Sequence, residues 1–299
     1  MKVTRRQALK TIVSGSTGVL LTQNLGERSH VLAQAPKEQS KRKFRVGVQL
    51  QPQHTDWPTY ADGVRRFDAM GVDSIWNWDH FFPLTGNPQG EHFEAWTMLG
   101  AMAILTKQAE IGCLVTCIHY RNPALLSNMA KTVDHMSGGR LVLGLGAGWF
   151  ERDFTEYGYP FGTGGNRLRV LRTALPIIKE RWQKDVPPPL RPIPVLIAGS
   201  GEKMMLKIVA QHATMWNGPL FASPEEWGRK NEILTEWCTK IRRDPNEIER
   251  TIWLDSPDRL SQLDAYAQAG ATHLILGMHA PYPFEAVERL LAWRNTRNG

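Results

Sequence analysis

The chain has 299 residues, with 36 basic and 29 acidic side chains giving a net charge of +7, and 42% of it is hydrophobic. It is long enough for one large α/β domain and too evenly mixed in composition for a disordered or low-complexity protein. Four of the excess positive charges lie in residues 1–35, so the remainder carries only +3; with no interleaving of basic and aromatic residues, nucleic acid is excluded as a partner.

The first segment reads as an address. Thr4-Arg5-Arg6-Gln7-Ala8-Leu9-Lys10 resembles a twin-arginine export signal. The apolar run from Thr11 to Leu21 is too short and too polar to span a membrane. Small residues near Ala33 suggest cleavage there. Residues 1–35 are therefore expected to engage the twin-arginine export machinery and place the protein in the periplasm or outside the cytoplasm. A basic tail on a cytoplasmic protein is the alternative. Residues 36–43, PKEQSKRK, read as a polar linker.

From Phe44 to Gly299 short apolar runs alternate with longer amphipathic ones. The β-rich runs are 45–50, 74–79, 109–117, 140–148, 193–200, 214–218, 249–254 and 272–278. Continuous apolar strands mean burial on both faces, as in parallel sheets. Asn122-Pro123, Ser223-Pro224 and Ser256-Pro257 each predict a capped helix start. Eight strand–helix units predict a (β/α)8 TIM barrel over 44–299, with a doubly wound sheet as the alternative. In a barrel, function sits where the strands end.

The run RLVLGLGAGW, 140–149, imitates a dinucleotide-binding loop. It fails that pattern because Trp149 stands where a third glycine is needed, and no helix is expected directly after it. Its glycines are expected instead to let a flat ring approach the backbone. Cys113, Cys117 and Cys238 are too few and too odd for a disulfide framework. Cys113 and Cys117 are predicted to share one side of a strand about 13 Å apart, with no further ligands for a metal.

The segments WNWDHFF, EAWTMLGAMA, LVTCIHYRNPALLSNMAKTVDHMSGGRLVLGLGAGWFERDF and PVLIAGSGEKMMLKIVAQHATMWNG resemble the luciferase-like monooxygenase superfamily, and in particular its branch using the deazaflavin coenzyme F420. The resemblance implies a modified TIM barrel with the cofactor ring at its C-terminal mouth. It implies that Asp79 and His80 lie beside the ring, and that Leu114-Val115 form a non-prolyl cis peptide behind it. It further implies cofactor contacts from Thr116, Asn122, Gly146, Ala147 and Gly148, and a phosphate-binding turn at Gly199, Ser200 and Gly201. That turn also leads into an expected helix from Lys203 to Ala213, whose N-terminus would attract an anion.

His80 is the leading catalytic candidate, with Asp79 beside it as the second, because a histidine can hold or move a proton near neutral pH. Trp78, His119 and Trp149 are candidate substrate contacts, with Tyr120 a further possible contact. Trp149 replaces the acid that sugar-phosphate dehydrogenases of this branch carry, with Glu151 two residues on. Trp76 and Trp78 share a strand face, one at least as core. The resemblance implies a longer insertion after the fourth helix, so the short link Trp182–Pro194 is expected to leave a more open mouth and admit a bulkier or less shielded substrate, with partial degeneration as the alternative. Trp227, Trp237 and Trp293, if exposed, would mark a homodimer interface. The expected activity is an F420-dependent oxidoreductase moving a hydride to or from a small organic molecule. FMN-dependent monooxygenation and an exported barrel that binds cofactor without turnover are the alternatives.

Overall fold

The computed structural model describes residues 44–299; the segments read as signal and linker, 1–35 and 36–43, lie outside the described residues. The apolar runs become β1 Arg45–Leu50, β2 Ser74–Asn77, β3 Glu110–Cys113, β4 Thr116–Cys117, β5 Leu143–Gly146, β6 Val195–Ala198, β7 Met215–Asn217, β8 Glu249–Leu254 and β9 His273–Met278. They pair in the order β3-β2-β1-β9-β8-β7-β6-β5-β4. β1 pairs in parallel with both β2 and β9.

The third run is not one strand. The Leu114–Val115 peptide is cis and separates β3 from β4. The two ends of the pairing order therefore meet at one position of the circuit, where Ile111 also bridges to Leu141. This is a nearly closed TIM barrel of eight positions, and the first-to-last pairing rules out the doubly wound sheet. The break also removes the shared side assigned to the cysteines. Cys113 packs in the main core, whereas Cys117 packs with Tyr120 and Phe154. All three cysteines are free and buried.

Nine helices follow among the described residues: α1 Trp57–Met70, α2 Ala95–Leu105, α3 Pro123–Ser137, α4 Glu151–Glu156, α5 Gly164–Lys184, α6 Met205–His212, α7 Pro224–Lys240, α8 Leu263–Gln268 and α9 Phe284–Asn298. Asn122 caps α3 by accepting from the Ala124 N–H at 2.9 Å, and Ser223 caps α7 through the Glu226 N–H. Ser256 makes no such bond, and Pro257–Gln262 is a 3-10 turn instead. A helix does begin just beyond Trp149, contrary to the sequence expectation: α4, six residues long.

Each strand sorts its side chains by the period of two. On β9, Leu274, Leu276 and Met278 join the layer beneath the helices, while Ile275 joins an inner cluster with Trp76, Val142, Leu196 and Met215. Trp76 is thus core, as its alternation with Trp78 allows.

The N-terminal ends of the strands are tied by charge. Arg45 bridges Glu110 at 2.5 Å and Glu249 at 3.0 Å, and Arg191 reaches Glu110 at 3.0 Å. Arg191 belongs to the short link between α5 and β6. Its neighbour Leu190 donates its N–H to Asp134 at 2.9 Å. A helix-to-strand connection enters a barrel at the strands' N-terminal ends, so this link closes the end opposite the active face. Its shortness therefore cannot open the mouth, contrary to the sequence expectation.

Candidate active site

At the C-terminal ends of the strands lies a cavity of about 990 Å³. His80, just past β2, lines it. The ring Nδ1 donates to Asp153 Oδ2 at 2.6 Å. Asp153 is fully buried on α4, and it also accepts from the Tyr120 hydroxyl at 3.0 Å and, through Oδ1, from the Phe81 N–H at 3.0 Å. Burial, with Cys117 and the Asp153 carboxylate close by, pushes the Tyr120 phenol well above its ordinary range, so it stays protonated and donates. Among the described residues no protein group bonds His80 Nε2. A carboxylate-oriented imidazole with a free nitrogen at a cavity wall can take or give one proton.

Asp79, expected beside the ring with His80, does line the cavity, but its carboxylate is engaged elsewhere. Its carboxylate takes both guanidinium nitrogens of Arg121, at 2.6 and 3.0 Å, and the Cys117 N–H at 3.0 Å. Burial pushes this carboxyl up while Arg121 opposes it. Asp79 therefore fastens the end of β2 to β4 and the loop beyond. The partner of His80, Asp153, is 73 residues away in the chain, so no local spacing in the sequence points to it.

The cavity lining includes Trp78, Leu114, Val115, Ala147 and Trp149. Trp78 donates its indole N–H to His92 Nε2 at 3.0 Å. Burial, reinforced by His80, lowers the His92 ring to about 4, so it accepts as the neutral form. Trp149 meets the His80 ring edge-on, with centroids 5.7 Å apart.

Three expected contacts lie off the cavity. The Thr116 hydroxyl is buried and accepts from the Trp96 indole at 3.2 Å. Asn122 is spent on its cap. His119 packs against Phe154, its Nε2 buried without a partner. Gly201 falls just outside the lining, although Gly199 and Ser200 belong to it.

The glycines of β5 also serve a purpose that the sequence did not suggest. A Cβ on Gly144 would lie 2.0 Å from the Cys113 carbonyl oxygen, and one on Gly146 would lie 2.7 Å from the Val115 side chain. They make room for the broken third strand, although Gly146 and Gly148 do reach the cavity wall.

Two buried polar atoms of lining residues lack partners: Gln49 Oε1, an acceptor, and Trp253 Nε1, a donor. Gln49 donates its amide to the Leu114 carbonyl at 2.6 Å, which fixes its orientation. The N–H groups of Ser200 and Gly201 likewise have no protein acceptor among the described residues. They precede α6, which starts at Met205 rather than at Lys203. A flat heterocycle with hydrogen-bonding edges and an anionic tail fits this donor and acceptor set.

The family model described as luciferase-like monooxygenase matches residues 42–292. The chain belongs to that family. Among its luciferase-like relatives, an uncharacterised protein of Mycobacterium tuberculosis is 25% identical over 221 residues, covering 67% of this chain and 75% of its own. An F420-dependent glucose-6-phosphate dehydrogenase of Amycolatopsis mediterranei is 29% identical over 167 residues, 50% of this chain and 48% of that one. The fold matches that of an F420-dependent secondary alcohol dehydrogenase bound to an F420–acetone adduct, with a TM-score of 0.73 at 17% identity, over 83% of this chain and 97% of the other.

Proposed function

We propose that this luciferase-like chain is an F420-dependent oxidoreductase acting on a small organic alcohol or ketone. The observation that carries the reading is the buried Asp153 carboxylate on His80 Nδ1, which leaves Nε2 free at the cavity wall. The relatives whose names include F420 support the cofactor.

Bound there, F420 would supply a two-electron hydride acceptor or donor. Gln49 and Trp253 would meet its ring edge, and the Ser200 and Gly201 N–H groups its phosphate. His80 Nε2 takes the proton from a substrate hydroxyl, or returns it to a carbonyl oxygen in the reverse direction. Asp153 holds the imidazole in the tautomer that makes Nε2 an acceptor and stabilises the charge it gains. Trp78, Trp149 and Val115 exclude water around the reacting atoms. We also propose export through the Arg5-Arg6 signal, which cell fractionation of an Arg5→Lys, Arg6→Lys variant tests by loss of the exported fraction.

The deciding experiment is equilibrium binding of F420 and of FMN to the purified full-length chain. F420 should bind with micromolar or tighter affinity and FMN more weakly. His80→Ala should keep the binding and lose turnover in a screen of alcohols and ketones. Preference for FMN would shift the reading to a monooxygenase. Binding of neither by folded protein would leave a barrel without cofactor chemistry.

A further inference from the structure

Resting on the oxidoreductase reading, we infer that the substrate is a neutral molecule with a bulky apolar or aromatic body, and that Trp149 and Phe221 select it. Two independent features lead there.

The first is charge. The side chains lining the cavity include no lysine and no arginine. Its acids are Asp79, Glu226 and Asp255. Nearby arginines are already committed: Arg121 to Asp79 and Glu94, Arg152 to Glu156 and the Pro88 carbonyl, Arg167 to the carbonyls of Gly148 and Phe161, and Arg259 to Asp255 and the Phe221 carbonyl. A phosphorylated or carboxylated substrate would enter against Glu226 and, among the described residues, would meet no lysine or arginine in the lining that is not already paired. The free Ser200 and Gly201 N–H groups suit one anion, and the cofactor's phosphate accounts for it.

The second is the rim. Trp149 is 57% exposed, Leu220 50% and Phe221 62%. Large apolar side chains held open around a cavity mouth mark a binding surface. Trp149 stands beside His80, and Phe221 meets Trp253 edge-on at 5.6 Å between centroids. Phe221 also has a φ of +59°, a left-handed backbone that disfavours bulky side chains. The chain keeps an aromatic at a position where glycine or asparagine would sit freely. An apolar body between these rings would bring its hydroxyl or carbonyl toward His80.

The test uses the full-length chain, with and without saturating F420, titrated calorimetrically with 2-acetylnaphthalene, with its carboxylated analogue 6-acetyl-2-naphthoate and with glucose 6-phosphate. The neutral ketone should bind at least about tenfold more tightly than either anion, and Trp149→Ala and Phe221→Gly should each weaken it by about tenfold. Both side chains are exposed, and Phe221→Gly relieves the left-handed strain, so neither substitution should lower the melting temperature. Equal or tighter binding of either anion, or ketone binding untouched by both substitutions, would overturn the inference. F420 binding without ketone binding sinks the substrate class alone. Ketone binding without F420 binding supports the rim as a binding surface and sinks the cofactor reading alone.

Discussion

At the scale of single residues, His80 acts through a neighbour that is close only in space. Asp153→Asn puts an amide against Nδ1, which then accepts instead of donating, and the proton moves to Nε2. Turnover should fall by about 10²-fold or more, while circular dichroism and F420 affinity stay unchanged. A variant retaining full turnover would remove the orienting role. His80 was legible from its place at a strand end, and so were Trp78 and Trp149. Asp153 was not, because no local spacing joins α4 to the end of β2. Thr116, Asn122 and His119 were legible as residues near the mouth, but their directions were not. A cap, a buried hydroxyl contact and a ring packed on Phe154 turn them away. Sequence spacing gives position along an element; the rotation of a side chain about it depends on the break at Leu114–Val115 and on what packs there.

At the scale of elements, the third strand and β5 must be considered together. Gly144→Ala forces a Cβ into the Cys113 carbonyl, which is backbone and cannot swing aside. The expected cost is about 3 kcal/mol, read as a lower denaturant midpoint. Gly165→Ala, in the first turn of α5 with only Thr163 Oγ1 near the added atom, should instead be neutral or stabilising by about 0.5 kcal/mol. Arg121→Met removes the one guanidinium that, among the described residues, meets the fully buried carboxylate of Asp79. Stability should fall by about 3–5 kcal/mol, more than for the paired change with Asp79→Leu. Seven of the eight apolar runs became single strands lying wholly within the predicted limits, and two of the three predicted caps formed, because apolar runs and Ser/Asn-Pro pairs are local signals. The split third run and the short α4 were less visible, being consequences of closing the circuit.

At the scale of the whole molecule, the two ends of the barrel are chemically opposite: an apolar mouth, and a base laced with ion pairs. Burial works against ionisation of Glu249, yet the His273 ring and the Arg45 guanidinium outweigh it and hold the carboxyl at about 2. The unfolded chain returns it to the ordinary value near 4.5. The folded state thus binds fewer protons between these values. Its stabilisation is complete above about pH 4.5 and is lost as the pH falls toward 2. The melting temperature should drop through that window, and Glu249→Gln should make the acid limb shallower. Trp227, Trp237 and Trp293 are buried or partly buried against their own chain, so they offer no argument for a homodimer. Finally, burial pushes the Cys117 thiol to about 12 and raises Cys113 and Cys238 as well. None of the three presents a thiolate at neutral pH. The native protein should therefore resist alkylation by iodoacetamide, need no reductant on storage, and pass through an oxidising compartment without cross-linking to other chains.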